Sequence, residues 1–252
     1  MSGFFDAAGV RLCYDVYGAP HAPPMVLLHG LGGDRSTWAE VAPALATGRR
    51  VHALDLRGHG NSDRPGRYSF ELMRDDVVAF IDALDVRGVA LVGHSMGGVV
   101  AWLVARQRPA GLSHLVVEDS PPPRVGMPAV PLRDGPRENV RPHETVGFDW
   151  RAVEAIVGQL NNPDPAWWID AAAITTPTLV IAGGPASHVP QDLLLRISAA
   201  LPDGRLVTIP AGHHIHRTRP ADFLAVVNDF LGGTVHGAPT NAVTRGGSGR
   251  SD

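Results

Sequence analysis

Cysteine is nearly absent from this chain. Cys13 is the single cysteine among 252 residues, so no disulfide can form within the chain. Proteins without disulfides are typical of reducing compartments, and we therefore expect a cytoplasmic location. The first fifteen residues lack a basic start followed by an apolar stretch, so no signal peptide is predicted.

Long apolar runs and an excess of charge are also missing. No stretch of about 18 consecutive apolar residues occurs, so no membrane span is expected. The formal net charge is −3, and Lys and Arg are scattered, which argues against a nucleic-acid partner. The chain is 44% hydrophobic and 19% charged, ordinary values for a globular protein with a sizeable core.

Short apolar runs, each ending in Gly, Ser or His, recur along the chain. They lack the alternation of strands with one solvent face, so they are typical of parallel strands buried on both faces. The runs lie at 24–30, 51–58, 89–95, 112–120, 178–184 and 205–213. Segments between them, at 69–85, 191–201 and 221–231, have the apolar spacing of helices. This alternation predicts an α/β fold with a mostly parallel central sheet flanked by helices.

Residues 121–176 interrupt the alternation. They begin Pro-rich and become partly helical from about Trp150. We expect a small cap insertion over the carboxyl edge of the sheet, because so short and Pro-rich a segment would struggle to form its own core. Residues 1–120 and 177–231 then form the core, and the Gly/Ser/Thr-rich tail at 232–252 is expected to be disordered.

The stretch LVGHSMGGVV, residues 91–100, has the pattern G-x-S-x-G with Ser95 at its centre. A predicted strand precedes it and a predicted helix follows, so the chain must reverse sharply at Ser95. Glycines relieve the crowding of such a reversal, and a helix N-terminus beside the hydroxyl stabilises developing negative charge. This context indicates a nucleophilic serine. The alternative is a Gly-rich turn that contains a serine by chance.

A nucleophilic serine needs hydrogen-bond donors for the oxyanion. The N–H of Met96, directly after the serine, is one candidate. The loop HGLGGDRSTW, residues 29–38, follows an earlier strand and offers the N–H of Leu31 as the second. His29 is interpreted as a residue that holds this loop by hydrogen bonding rather than as a base.

The candidate base lies in IPAGHHIHRTRP, near the end of the chain. His213 directly follows Gly212 at the end of the last predicted strand and is preferred, with His214 and His216 as rivals. The order serine, acid, histidine is typical of this kind of sheet. Carboxylates are missing nearby and no H-E-x-x-H pattern occurs, so no metal site is predicted.

Together these motifs resemble the α/β-hydrolase family over residues 8–231, and DLRGHGNSDRP at 55–65 looks like that family's loop after the next strand. Asp55, Arg57 and His59 in this loop are interpreted as structural. The resemblance implies an α/β-hydrolase fold. Similar proteins include carboxylesterases, lactonases, thioesterases, cofactor-free haloperoxidases and C–C bond hydrolases. Epoxide hydrolases and haloalkane dehalogenases use an aspartate as nucleophile, so Ser95 argues against both.

The triad acid departs from the family's common pattern. Most relatives carry it just after the strand that corresponds to TLVIAGG, where this chain has Ala186 and Ser187. The family's other known position is the end of the preceding strand, LVVEDSPPP, so Asp119 is preferred over Glu118 as the partner of His213. Ser187 is a candidate fourth member, as in a subset of family esterases. The alternative for Asp119 is a helix or turn cap.

Large apolar side chains in the insertion are candidates for a substrate pocket. They are Met127, Phe148, Trp150, Trp167 and Trp168. Packing of the insertion against the sheet is the alternative for each of them. Trp167 and Trp168 are preferred for the pocket because they lie close to the edge of the sheet.

The sequence therefore predicts a serine hydrolase that cleaves a small-molecule carboxylic ester, thioester or lactone through an acyl-enzyme on Ser95, without metal or organic cofactor. A C–C bond hydrolase or lyase with the same serine is one alternative. A non-catalytic hydrolase-like binding protein is another. The natural substrate and the oligomeric state are left open.

Overall fold

A computed structural model describes residues 1–107, 111–132 and 147–232 of the chain. Its strands are β1 (Ser2–Ala7), β2 (Val10–Tyr17), β3 (Pro24–Leu28), β4 (Arg50–Leu54), β5 (Val89–His94), β6 (Leu112–Glu118), β7 (Thr178–Ala182) and β8 (Gly204–Thr208). Its helices are α1 (Ala42–Leu45), α2 (Phe70–Ala83), α3 (Met96–Arg106), α4 (Trp150–Asn161), α5 (Pro165–Ala171), α6 (Gln191–Ala200), α7 (Ile215–Thr218) and α8 (Pro220–Gly232).

In the described residues the strands form one sheet of eight, in the order β1-β2-β4-β3-β5-β6-β7-β8. Strands β3 to β8 pair in parallel, whereas β2 is antiparallel to both β1 and β4. The prediction of a mostly parallel α/β sheet is confirmed. Each of the six predicted strand runs contains one of the parallel strands or most of it.

Side chains of the central strands alternate between two hydrophobic layers. Val26 and Leu28 of β3 pack in the layer formed with α2 and α3. Met25 and Leu27 of the same strand pack in the opposite layer, formed with α1 and α8. Because both faces are covered, every position must be apolar, which is why these strands show no polar alternation in the sequence.

Strands β1 and β2 lie outside the runs from which strands are predicted above. They form a hairpin whose turn residues, Ala8 and Gly9, have φ of 50° and 88°, the backbone that a two-residue hairpin turn requires. Leu12 of β2 is buried while its neighbour Arg11 is exposed. The sequence signal of this hairpin is therefore alternation and not an unbroken apolar run.

The described parts of the insertion are residues 121–132 and the segment that carries α4 and α5. Residues 133–146 lie outside the described residues, as does the predicted tail beyond Gly232. Helix α4 begins at Trp150, where the sequence predicts helix, and Asp149 caps it by accepting the N–H of Arg151 at 3.0 Å. None of the described helices combines the length and the apolar character needed to cross a bilayer.

Hydrogen bonds attach the start of α4 to the segment between β4 and α2. The hydroxyl of Tyr68 donates to the carboxylate of Asp149 at 2.6 Å. The N–H of Gly60 donates to the carbonyl of Gly147 at 2.6 Å, and the N–H of Asp149 donates to the carbonyl of Gly58 at 2.7 Å. These contacts fix the position of α4 relative to the core.

Candidate active site

Ser95 occupies a sharp turn between β5 and α3. Its φ of 52° and ψ of −118° are values that a residue other than glycine rarely adopts. The neighbouring glycines have no room for a side chain. A Cβ on Gly93 would lie 2.3 Å from the carbonyl oxygen of Gly97, and one on Gly98 would lie 2.6 Å from Ser120 Cβ. The turn therefore depends on glycine at these positions.

Contacts with the end of β6 fix the backbone of Ser95. Its N–H donates to the carbonyl of Glu118 at 3.3 Å, and the hydroxyl of Ser120 donates to the carbonyl of Ser95 at 2.8 Å. Ser95 and His213 line the same two cavities, and catalytic hydrogen bonds between such groups often tighten only when substrate binds.

Asp119 and His213 form a hydrogen-bonded pair at the carboxyl edge of the sheet. Asp119 follows β6, is fully buried, and accepts a hydrogen bond from Nδ1 of His213 at 2.8 Å. The hydroxyl of Ser187 donates to the same carboxylate oxygen. The N–H of Gly183 at 2.9 Å and Nε2 of Gln191 at 3.1 Å donate to the other oxygen.

These donors keep Asp119 ionised. Burial by itself raises the pKa of this carboxyl, but the hydrogen bonds from His213, Ser187, Gly183 and Gln191 together outweigh burial and hold the pKa below its ordinary value. An ionised Asp119 holds the proton of His213 on Nδ1. Nε2 of the imidazole is then free to act as a base.

The rival acid and one of the rival histidines are paired with each other. The carboxylate of Glu118, which is fully buried, accepts two hydrogen bonds from His216, one from the ring Nδ1 at 2.7 Å and one from the backbone N–H at 3.0 Å. Burial by itself raises the pKa of Glu118, but His94 and His216 outweigh burial and hold the pKa below its ordinary value. Two adjacent carboxylates at the end of β6 thus bind different histidines, and the structure places His213 on Asp119.

The histidine before Ser95 is hydrogen-bonded to the backbone of the candidate base. Nε2 of His94 donates to the carbonyl oxygen of His213 at 2.8 Å. Burial, opposed in part by Glu118, lowers the pKa of His94 to about 3, so its ring is neutral at ordinary pH. The ring of His214 lies next to the rings of His94 and His213, and burial lowers the pKa of His214 as well.

The loop that offers Leu31 packs directly on the serine turn. A Cβ on Gly30 would lie 2.9 Å from Nδ1 of His94 and 3.2 Å from Ser95 Cβ. Met96 is the first residue of α3, so its N–H has no acceptor within the helix. The two candidate oxyanion donors therefore come from neighbouring segments, and both residues line the cavity that contains Ser95.

Ser95 and His213 open onto two adjoining cavities. One, of about 310 Å³, has a largely apolar wall from Met96, Val99, Pro121, Pro123, Met127, Pro128, Ala129, Val130, Leu160, Val189 and Pro190. The other, of about 630 Å³, is lined by Phe148, Trp150, Val153 and Val157 and by Gly30, Leu31 and Gly32. These last three residues belong to the loop after β3, which is called the oxyanion loop because it offers the candidate donor Leu31. Both cavities therefore extend from the serine under the described part of the insertion.

The tryptophans preferred for the pocket do not line either cavity. Trp167 is buried in the core, where it packs edge-on against Phe70 of α2 at 5.6 Å. Trp168 packs beside this core, with the guanidinium of Arg124 over its ring. The structure therefore does not bring this pair to either cavity, because Trp167 packs against Phe70 of α2 and Trp168 lies beside the same core. Met127, Phe148 and Trp150, the other three candidates, do line the cavities.

A model of the α/β hydrolase fold matches residues 23–137 of this chain. The enol-lactonase from Burkholderia xenovorans LB400 superimposes with a TM-score of 0.80 at 25% identity, over 92% of this chain and 100% of that one. A hydrolase from Pseudomonas aeruginosa PA01 does so with a TM-score of 0.71 at 27% identity, over 92% of this chain and 98% of that one.

The chain has the α/β-hydrolase fold. The sn-1-specific diacylglycerol lipase ABHD11 of Mus musculus is 29% identical to this α/β hydrolase over an alignment of 266 positions, gaps included, which covers 90% of this chain and 87% of the mouse protein.

Two residues beside Asp119 and His213 are not predicted from the sequence. Gln191 binds Asp119 from the first turn of α6, and the ring of His188 lies 4.3 Å from that of His213 on the wall of both cavities. The only signal for either is its closeness in sequence to Ser187. Among the described residues, no three His, Cys, Asp or Glu side chains are grouped so that they could hold a metal ion.

Proposed function

We propose that this α/β hydrolase cleaves a small-molecule carboxylic ester, thioester or lactone through an acyl-enzyme on Ser95. The observation that carries the proposal is the 2.8 Å hydrogen bond from His213 to buried Asp119, beside a strained serine on the wall of the same cavities. The names of similar proteins support it, since one is called a diacylglycerol lipase and another an enol-lactonase.

In the proposed mechanism, Nε2 of His213 takes the proton of Ser95 as the oxygen attacks the acyl carbonyl. The N–H groups of Leu31 and Met96 bind the oxyanion. His213 then gives its proton to the leaving alcohol or thiol, and water releases the acid from the acyl-enzyme by the same steps. Asp119 holds the imidazole tautomer and stabilises its positive charge.

We assign the acyl group to the cavity of about 310 Å³. The described residues of its wall are apolar apart from the catalytic groups, Ser120 and His188, so an uncharged apolar acyl chain fits it best. Each methylene that leaves water is worth about 0.8 kcal/mol. The value of kcat/KM should therefore rise about fourfold per added methylene until the cavity is full.

The test is hydrolysis of p-nitrophenyl esters of increasing acyl length by the wild type and by Ser95→Ala. We expect turnover and fluorophosphonate labelling by the wild type, and loss of both in the variant. Equal rates for the two proteins would exclude Ser95 as the nucleophile. Labelling without turnover of any ester, thioester or lactone would favour a C–C bond substrate.

The lack of an acid after β7 favours a non-catalytic binding protein, but the hydrogen bond between Asp119 and His213 argues against that alternative, since Asp119 can serve as the triad acid. A cytoplasmic location stays a prediction that rests on the single cysteine.

A further inference from the structure

Two buried histidines outside the triad connect the oxyanion loop to the loop after β4. His29 belongs to the first loop, and its Nε2 accepts the N–H of Leu56 from the second at 3.0 Å. His59 belongs to the second loop, and its Nε2 accepts the N–H of Gly32 from the first at 3.3 Å. The ring centroids lie 5.0 Å apart. Each loop therefore supplies a histidine that binds the backbone of the other.

Both rings are fully hydrogen-bonded in the neutral form. Nδ1 of His29 donates to the carbonyl of Gly30 at 2.8 Å, and Nδ1 of His59 donates to that of Arg57 at 3.1 Å. Burial lowers the pKa of His29 to about 4 and that of His59 to about 3. With the proton on Nδ1, Nε2 is an acceptor, so each ring has one donor and one acceptor in use.

These bonds fix the backbone on both sides of Leu31. The carbonyl of Gly30 accepts Nδ1 of His29 and the N–H of Gly33, the latter at 3.1 Å. The N–H of Gly32 is held by His59. The peptide N–H of Leu31 lies between two restrained neighbours, and its direction is set before any oxyanion forms.

His59 also touches the insertion. Its backbone forms a bridge with Phe148, and the two rings lie 6.1 Å apart with 30° between their planes. Phe148 lines the larger cavity and packs against Gly32, where a Cβ would lie 3.4 Å from its ring. A side chain that faces substrate thus contacts both partners of the His59–Gly32 hydrogen bond.

We propose that His59 is a positioning residue for catalysis, which aims the N–H of Leu31 at the oxyanion by holding the N–H of Gly32. The inference rests on the proposed acyl chemistry of Ser95. Because the oxyanion exists only in the transition state and the tetrahedral intermediate, His59 acts on these states and not on the bound ester.

The matched variants are His59→Gln and His59→Asn. The amide oxygen of Gln reaches the place of Nε2 and accepts the N–H of Gly32. Asn is one methylene shorter, so its amide still donates to the carbonyl of Arg57 but leaves Gly32 without an acceptor. His59→Leu, which fills the space with no polar atom, is a second variant without an acceptor and guards against poor folding of His59→Asn.

The readout compares two inhibitors of equal chain length. An alkyl trifluoromethyl ketone adds to Ser95 and places an oxyanion in the site, whereas the corresponding methyl ketone binds without forming one. Active enzyme is counted by complete titration with a fluorophosphonate. We expect Asn and Leu to lower kcat by about 10- to 100-fold, less than the roughly 10²–10³-fold lost when an oxyanion donor is deleted.

The Ki of the trifluoromethyl ketone should rise by a similar factor in these two variants, while KM and the Ki of the methyl ketone stay unchanged. His59→Gln should remain within about threefold of the wild type. Unchanged discrimination between the two ketones in Asn and Leu, or an equal loss in Gln, would overturn the inference. If the wild type shows no turnover that depends on Ser95, the proposed function itself fails instead.

Discussion

Replacement of Asp119 by Asn keeps the shape of the side chain and reverses part of its hydrogen bonding. The described residues aim two donors at each carboxylate oxygen, His213 and Ser187 at one, Gly183 and Gln191 at the other. An amide has one accepting oxygen, so its NH₂ group must face one of these pairs. If it faces His213, the ring can bind it only with the proton moved to Nε2, which removes the base.

Loss of the correct tautomer typically lowers kcat by about 10⁴-fold, or about 5.5 kcal/mol of transition-state stabilisation. We expect Asp119→Asn to lower kcat for a p-nitrophenyl ester by about 10³- to 10⁴-fold. The range allows for the alternative orientation, in which the NH₂ group faces Gly183 and Gln191 and His213 keeps its partner.

Glu118→Gln is the matched control. Glu118 is equally buried and also binds a histidine, but that histidine is His216 and not the candidate base. Glu118→Gln should lower kcat less than about tenfold. Thermal melting of both variants confirms that they fold. A folded Glu118→Gln that loses as much activity as Asp119→Asn would refute the assignment of the acid.

Ser187→Ala removes one charge-assisted hydrogen bond from Asp119, so kcat for the same ester should fall about tenfold, the equivalent of about 1.5 kcal/mol; an unchanged kcat would remove Ser187 from the site. Gly98→Ala places a Cβ 2.6 Å from Ser120 Cβ and should lower the free energy of unfolding by about 1–3 kcal/mol. Its control Gly158→Ala, with nothing within 4 Å, should be neutral or stabilising by up to about 1 kcal/mol. Burial, aided by Arg50, lowers the pKa of His52 to about 4 in the folded protein, below its value of about 6.5 in the unfolded chain. The contribution of neutral His52 to the free energy of unfolding is therefore complete above about pH 6.5 and is lost as the pH falls toward about 4. His52→Leu should reduce that loss by up to about 1.4 kcal/mol per pH unit, measured by urea unfolding at pH 7 and pH 5, and an unchanged slope would show that His52 is not the group.

The sequence predicts those parts of the structure that are determined by consecutive residues. The parallel strands need apolar residues on both faces, and the turn at Ser95 needs glycine on either side, so both leave a pattern in consecutive residues. Asp119 is predicted from the resemblance to α/β hydrolases, which implies a second possible acid position at the end of the preceding strand, and the structure brings it to His213.

Features that depend on the orientation of a whole element cannot be predicted in this way. Composition marks Trp167 as a large apolar residue, but only the placement of α5 against Phe70 decides that it belongs to the core. Gln191 reaches Asp119 across 72 positions of sequence, and no short pattern records such a contact. The hairpin that turns at Ala8–Gly9 is different. Its strands alternate between buried and exposed side chains, and this period of two residues is visible in the sequence.

The acid at the end of β6 has a consequence for how substrate preference can change in this protein. The candidate nucleophile Ser95 and the candidate acid Asp119 directly follow adjacent strands whose pairing aligns His94 with Glu118, so the hydrogen bonds of the sheet set the distance between the two residues. The segment after β7 contributes Ser187 and Gln191 to the acid, but His188, Val189 and Pro190 face the cavity. Substitutions of the Val189 and Pro190 side chains are therefore expected to reshape the proposed acyl site while Asp119 keeps its place, which makes these two positions the natural target for altering chain-length selectivity.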